Sequence, residues 1–330
     1  MSYLITGGLG YIGSHIAVEL LNQVKSVIIV DNLSNSSRDV LETVQQMTNQ
    51  TIPFYEVDIR DSLQLHAIFC THTIDHVIHC ASLKAVGESV NEPLKYYENN
   101  VTGTIRLLEV METYRCFSIL FSSSATVYGT NTYPVKETDT TGIGITNPYG
   151  KTKYMIEEIL RDLYKKNPEW QIIILRYFNP IGAHPSGLIG ENPVGIPNNL
   201  FPYILQTAKG IRKELVIYGN DYDTPDGTCL RDYIHVCDLA EVHVTAFDKC
   251  IHAGLHIYNV GTGTPTSVLE IVDAFVRSTD TPVQTRIGEK RPGDLSTVYA
   301  NTDKLSAEFG WKPRYTIEDA CQHGWKYINK

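Results

Sequence analysis

No run of apolar residues in this 330-residue chain approaches the roughly 20 that a membrane-spanning helix needs. A polar, glycine-containing turn that begins by Gly7 is equally poor material for a secretory leader. The seven cysteines (Cys70, Cys80, Cys116, Cys229, Cys237, Cys250 and Cys321) form no Cys-x-x-Cys pair and leave an odd count. That argues against a disulfide framework, suits a reducing compartment, and leads us to expect a soluble cytoplasmic protein. Basic residues form no runs, and the formal net charge is -9. A nucleic-acid surface is thereby excluded, and any anionic ligand has to be met by local cations. Internal repeats and low-complexity stretches are also lacking. His72, His76 and His79 lie close together, but no cysteine or carboxylate completes a tetrahedral set around them, so no metal site is expected.

What is present is ordinary globular material, 42% hydrophobic and 20% charged, enough for one large or two ordinary domains. Short β-branched runs alternate with amphipathic stretches: Tyr3 to Thr6, a helix from about Tyr11 to Asn22, Ser26 to Val30, then strands at Phe54 to Val57, His76 to His79, Ser118 to Phe121 and Ile172 to Leu175. Strand-helix-strand alternation of this kind means right-handed crossovers and a parallel sheet covered on both faces, so a Rossmann-like doubly wound α/β fold is expected. From about Pro180 prolines and glycines break the rhythm, which predicts a smaller, loop-rich α/β domain over the carboxyl edge of the sheet. The stretch from Tyr233 to Lys249 regains strand-then-helix character. The expected domains are therefore 1–179 with about 232–254, and 180–231 with 255–330.

Gly7, Gly10 and Gly13 follow the first strand and open the first helix. Glycines at this spacing allow a tight turn and close backbone approach, so that a pyrophosphate can rest on amides at the positive helix end. Asp31 closes the second strand, where a carboxylate accepts from adenosine ribose hydroxyls and repels an added 2′-phosphate, which selects NAD over NADP. Asp58 and Ile59, after the third strand, are placed to hold the adenine. Tyr149 and Lys153 stand four residues apart on one helix face, with Ser124 upstream, so that an ammonium can stabilise a phenolate and make it a usable base. A second glycine pair, Gly261 and Gly263, reads as a tight turn feeding a helix capped by Ser267 and Glu270 rather than as a phosphate site. Arg231 and Arg291, in the loop-rich half, offer guanidinium forks for a diphosphate.

Thr6 to Gly13, Ser122 to Gly129 and Tyr149 to Lys153 together resemble the extended short-chain dehydrogenase/reductase superfamily. More narrowly, Leu83 to Ser89, Arg176 to Pro180, Ile196 to Tyr203 and Arg231 to Val236 are similar to the UDP-glucose 4-epimerase (UDP-galactose 4-epimerase) family, and the likeness runs essentially end to end. The resemblance implies that Gly7, Gly10, Tyr11, Ile12, Gly13, Asp31, Asn32, Asn35, Ser36, Asp58, Ile59, Lys84, Asn99, Tyr149, Lys153 and Phe178 hold NAD. It implies catalysis by Ser124, Tyr149 and Lys153. For the UDP-sugar it points to Lys84, Ser124, Tyr149, Asn179, Asn199, Leu200, Tyr218, Arg231, Arg291 and Asp294, with Val298 lining the sugar pocket. Two departures, Cys80 for an aromatic and Ser82 for a glycine, bear on how tightly the cofactor sits.

Related dehydratases carry an acidic pair, and related decarboxylases a glutamate, just after the Ser124 position, where this chain has Ala125 and Thr126. Elimination therefore lacks its base, and the implied outcome is C4 inversion of UDP-glucose and UDP-galactose through a 4-keto-hexose, with NAD regenerated each cycle. The small Val298 is expected to leave room for a 2-acetamido group, extending the partners to UDP-N-acetylhexosamines. The alternatives are an epimerase acting chiefly on another UDP-sugar (an N-acetylhexosamine, a pentose or a uronate) and a non-catalytic NAD-binding regulator. Two apolar stripes on the Tyr149 helix (Met155, Ile159 and Leu163; Ile156 and Leu160) exceed what one sheet face requires, which predicts a homodimer.

Overall fold

A computed structural model of the chain describes every residue except 194, 198 and 292; Asn198, inside the Ile196 to Tyr203 motif, thus lies outside the described residues. The first part runs β1 (Ser2–Thr6), α1 (Tyr11–Asn22), β2 (Ser26–Asp31), α2 (Arg38–Thr48), β3 (Phe54–Glu56), α3 (Ser62–Thr71) and β4 (His76–His79). It continues through α4 (Val86–Asn91), α5 (Pro93–Tyr96), α6 (Gly103–Thr113), β5 (Ser118–Ser124), α7 (Pro148–Lys166) and β6 (Gln171–Tyr177). Then follow β7 (Asn179–Ile181), α8 (Leu200–Ala208), β8 (Leu215–Tyr218), β9 (Leu230–His235), α9 (Val236–Lys249), β10 (Gly254–Val260) and β11 (Pro265–Ser267). The chain ends with α10 (Val268–Thr279), β12 (Thr285–Gly288), β13 (Thr297–Val298), α11 (Asp303–Phe309) and α12 (Ile317–Ile328).

Contacts divide the chain into two compact units, one of Met1–Gly129, Thr140–Arg176 and Ala240–Tyr258, the other of Thr130–Asp139, Tyr177–Leu239 and Asn259–Lys330. The central sheet has seven strands in the order β10-β6-β5-β4-β1-β2-β3. Pairing is parallel from β3 through β2, β1 and β4 to β5. Leaving aside the outer β10, this is the doubly wound order whose direction of build reverses between β1 and β4, the place where such sheets bind ligands. Continuous apolar runs such as Val27 to Val30 and Ile172 to Leu175 are buried because helices cover both faces. On α7, Ile156 and Leu160 are buried in this core, each contributing roughly 1.5–3 kcal/mol by leaving water. Ile159 and Leu163 pack partly against it, while Met155 remains 46% exposed.

The second unit is built on a four-stranded sheet in which β9 pairs with β11, β13 and β7. A separate parallel pair joins β8 to β12. Its core gathers Ile204, Leu215, Ile271, Phe275 and Cys321 between α8, α10 and α12. The capping box at Ser267 and Glu270 forms as read from the sequence and starts α10. No helix among the described residues is long and apolar enough to cross a membrane.

Candidate active site

Gly7 takes φ +68°, and a Cβ there would stand 2.7 Å from the amide nitrogen of Ala81, directly beyond β4. The turn therefore lies against the switch point of the sheet. A Cβ on Gly13 would be 2.3 Å from the Gly7 carbonyl oxygen, so only glycine permits this closure. Gly10 begins α1 with no side-chain cap. Helix-start amides lack intrahelical acceptors, which suits the start of α1 to an anion.

Asp31 ties that turn to the next loop: its carboxylate accepts from the Leu9 amide at 3.0 Å, the Leu33 amide at 2.9 Å and the Ser36 hydroxyl at 2.7 Å. Asn32 donates to Asp58 at 2.9 Å. Asp58 also receives the Arg60 guanidinium, which holds its carboxyl well below the usual range. Ile59 is buried against Gly103, where a Cβ would stand 2.6 Å from its Cδ1. The Lys84 ammonium sits 5.9 Å from the centre of the Tyr11 ring. Asn99 donates to Asn100 within a π-helical turn spanning Tyr97–Thr102, a local form that often marks functional positions. The cofactor residues read from the sequence thus gather within the first unit, apart from Phe178, which follows β6 and is buried in the second.

Ser124 ends β5 and caps a short 3-10 turn over Ala125–Tyr128, its oxygen accepting from the Thr126 amide and hydroxyl at 3.2 and 3.0 Å. The same hydroxyl bonds the phenol of Tyr149. Asn147 caps α7 by accepting from the Gly150 amide at 2.8 Å, fixing the turn that presents Tyr149. Lys153 is buried and donates to the Ser122 carbonyl at 2.6 Å, with its nitrogen 5.8 Å from the Tyr149 ring centre.

Burial pushes the Tyr149 phenol up, against the Ser124 hydrogen bond, and pushes Lys153 down to about 8. Desolvation disfavours both charged forms.

Sequence reading missed the groups that hold this set in place. Asn100, buried, donates to the Leu83 carbonyl and to Thr152 on α7, both at 3.0 Å. Glu157, one helical turn beyond Lys153, accepts from Ser123 at 2.6 Å and from the Arg176 Nε and Nη2 at 3.0 and 2.7 Å. Arg176 also donates to the Tyr128 hydroxyl at 2.9 Å. The available signal was a carboxylate i+4 from Lys153 and an arginine closing an apolar strand, both at positions that a parallel sheet buries. The histidines once weighed as ligands are side-chain bonded instead: His72 to Tyr55, His76 to Ser118, and His79 to Thr6 and Thr104.

In the second unit Arg231 lies on β9 in register with Val298 on β13 and donates to the Leu230 carbonyl at 2.8 Å. Arg291 stacks 4.9 Å over the Tyr218 ring and bonds Asp294 at 2.7 Å. Asn199 donates to Glu191 at 3.1 Å, and Leu200 opens α8 against the core. Asn179 pairs with Tyr233.

Asp232, fully buried, accepts from the amides of Thr262, Gly263 and Ala300 at 2.7, 3.0 and 3.2 Å. The second glycine cluster is therefore a turn built around a protein carboxylate.

A glycine turn at the switch point of a doubly wound sheet, with a half-buried serine and tyrosine and a buried lysine in the same unit, defines an extended short-chain dehydrogenase/reductase. The family model described as GDP-mannose 4,6 dehydratase matches residues 4–323. The UDP-glucose 4-epimerase of Bacillus subtilis is 51% identical over 329 residues, covering 99% of this chain and 96% of that protein. The crystal structure of UDP-glucose 4-epimerase from Bifidobacterium longum with NAD+ and UDP superposes with a TM-score of 0.97 at 48% identity, covering 100% of this chain and 98% of that one. The UDP-Glc/GlcNAc 4-epimerase of Campylobacter jejuni reaches a TM-score of 0.86 at 34% identity, with 99% of each chain covered. The chain belongs to the UDP-glucose 4-epimerase family.

Proposed function

We propose that this protein is an NAD-dependent isomerase that interconverts UDP-glucose and UDP-galactose by inverting C4. The observation that carries the choice among related chemistries is at the end of β5. Ser124 bonds Tyr149, and the next two residues are a buried alanine and a threonine occupied with Ser124. A dehydratase needs a proton shuttle there, and neither side chain can act as one.

The first unit fits NAD. Its turn excludes any Cβ at Gly7 and Gly13, and Asp31, Asn32, Ser36 and Asp58 place hydrogen-bonding groups at the ends of β2 and β3. Gly10, Tyr11, Ile12, Asn35, Ile59, Lys84 and Asn99 complete the proposed set within that unit. When bound, NAD supplies a hydride acceptor that returns the hydride to the opposite face, and a positive ring that favours the phenolate. Tyr149 takes the C4 hydroxyl proton, Ser124 bonds the same oxygen, and Lys153 holds positive charge beside both.

The second unit is proposed to bind UDP. Arg231 and Arg291 meet the diphosphate, Asp294 the uridine ribose, and Asn179, Asn199, Leu200 and Tyr218 the remaining nucleotide and sugar surfaces. Tight UDP contacts with loose hexose contacts let the keto sugar turn over while the nucleotide stays bound, so that binding energy remote from C4 serves the reaction. The experiment is direct: purified protein without added NAD should convert UDP-glucose to a UDP-glucose/UDP-galactose mixture seen by NMR, and no turnover of any UDP-hexose would refute the reading.

Val298 supports a wider substrate range, because a valine beside Arg231 on paired strands occupies less volume than a tyrosine would. UDP-N-acetylglucosamine should also turn over. Val298→Tyr should suppress only that activity, and equal loss of both would refute the pocket assignment. A homodimer is supported by Val86, Val90, Leu94 and Met155, exposed by 44, 59, 81 and 46%, on helices α4, α5 and α7 that pack together. Sedimentation at micromolar concentration should give twice the chain mass. The seven free thiols suit a cytoplasmic protein.

A further inference from the structure

We infer that Glu157 is a positioning residue that keeps Lys153 charged while fixing the strand that ends in Ser124 against the helix that carries Tyr149. The inference rests on the roles assigned above to Tyr149 and Lys153.

Tyr149, Lys153 and Glu157 follow one another at intervals of four residues and so share one face of α7. Glu157 has no solvent exposure, and its two oxygens are engaged by Ser123, which adjoins Ser124, and by the Arg176 fork from β6, with the Arg161 guanidinium at 3.9 Å from the next turn of α7. Arg176 continues to Tyr128, the last residue of the turn that Ser124 caps. One carboxylate therefore joins the helix, two strands and the catalytic turn.

The groups facing Lys153 can be enumerated. From β4 and the residue after it come His79 and Cys80, from β5 the Phe121 ring and the Ser122 carbonyl, and from α7 Tyr149 and Glu157. Beyond Tyr149, Tyr96 of α5 bonds Glu88 of α4. Burial holds His79 neutral, down at about 3, and pushes the Cys80 thiol up to about 12. Both are uncharged where Lys153 titrates, near 8. That leaves the carboxylate of Glu157 as the anion that opposes desolvation of the ammonium. A buried charge pair of this kind is weak evidence of stabilisation, and replacing it by apolar side chains is often neutral. Its place one helical turn from Lys153, on the same buried face, gives it a different use.

The test is the pH dependence of kcat for the NAD-containing enzyme on UDP-glucose, with melting temperature measured alongside. In Glu157→Gln the alkaline limb should move to lower pH by about one unit, because an ammonium without its anion gives up its proton more readily. Glu157→Asp keeps the charge and should keep the limb while melting lower. Glu157→Gln combined with Arg176→Met removes both buried charges, so it should regain much of the melting temperature yet keep part of the shift, the rest being reversed by loss of the Arg176 cation. The double variant carries the test if Glu157→Gln alone does not fold. A limb unmoved in Glu157→Gln, or fully restored in the double variant, would show a packing role only. The wild-type rate on UDP-glucose reports separately on the proposed reaction.

Discussion

In the unit that carries Tyr149 the working charges are sealed in: Lys153, Glu157 and Arg176 are at most 2% exposed, and each already has its hydrogen-bond partners. In the unit that carries Arg231 the candidate diphosphate ligands behave otherwise. Arg291 is 55% exposed at its side chain, lies on the Tyr218 ring, and bonds an aspartate three residues away that a ligand can displace. The contrast follows from what each has to do. Proton transfer gains from groups fixed before substrate arrives, because their reorganisation would otherwise add to the barrier. Holding a mobile sugar by its nucleotide calls for cations that can exchange one anionic partner for another, and exposed pairs are weak enough to allow it. The second unit does keep sealed carboxylates, Asp232 and Asp238, but both gather backbone amides and serve as struts.

Tyr149→Phe should separate the two units most sharply. We expect kcat to fall by at least about a thousandfold, with UDP affinity and co-purified NAD unchanged by calorimetry and absorbance. Appreciable residual turnover would break the comparison. Arg291→Ala should do the reverse, raising KM for UDP-glucose about tenfold to a hundredfold through loss of charge-assisted contacts, with kcat nearly kept. A matching fall in kcat would mean that the anchor also takes part in the chemistry.

Acid should strike the first unit through His79. Burial holds this imidazole at about 3 against an ordinary 6.5. Between those values the unfolded chain binds the proton that the folded one refuses, so stability from His79 is whole above 6.5 and is lost as pH falls toward 3. His79→Asn should flatten that part of the melting-temperature profile, and an unchanged slope would place the acid sensitivity elsewhere. The smallest effect should come from Asp294→Asn, which frees Arg291 from its partner. A loss of the ribose contact and a gain for the diphosphate should leave KM within about threefold, on the scale of exposed pairs, while its salt dependence steepens.

How legible each unit was depended on whether its features are local. Helix α1 and strand β4 occupy the residues that their patterns predict, Tyr11–Asn22 and His76–His79, because a glycine turn and an apolar run each declare themselves in sequence. Strand β5 runs on to Ser124, past the expected Phe121, since neighbouring strands supply partners that the polar Ser122 to Ser124 do not advertise. Likewise nothing local marks Glu157 as buried, because its partner Arg176 comes from β6. The Thr130–Asp139 stretch joins the second unit through the bridge of Val135 to Ala300, a pairing distant along the chain that no local pattern encodes. The desolvation that raises Tyr149 is of the same kind: spacing showed the ammonium, and only the fold shows how dry its surroundings are.

The central claim is a closed redox cycle in which hydride leaves C4 and returns to it while UDP stays bound. UDP-glucose carrying deuterium at C4 tests it directly, with the purified protein given no nicotinamide and the product examined by NMR. The label should remain at C4 of UDP-galactose, because the same hydride leaves and returns. Loss of deuterium to solvent, or its appearance at another carbon, would contradict the account.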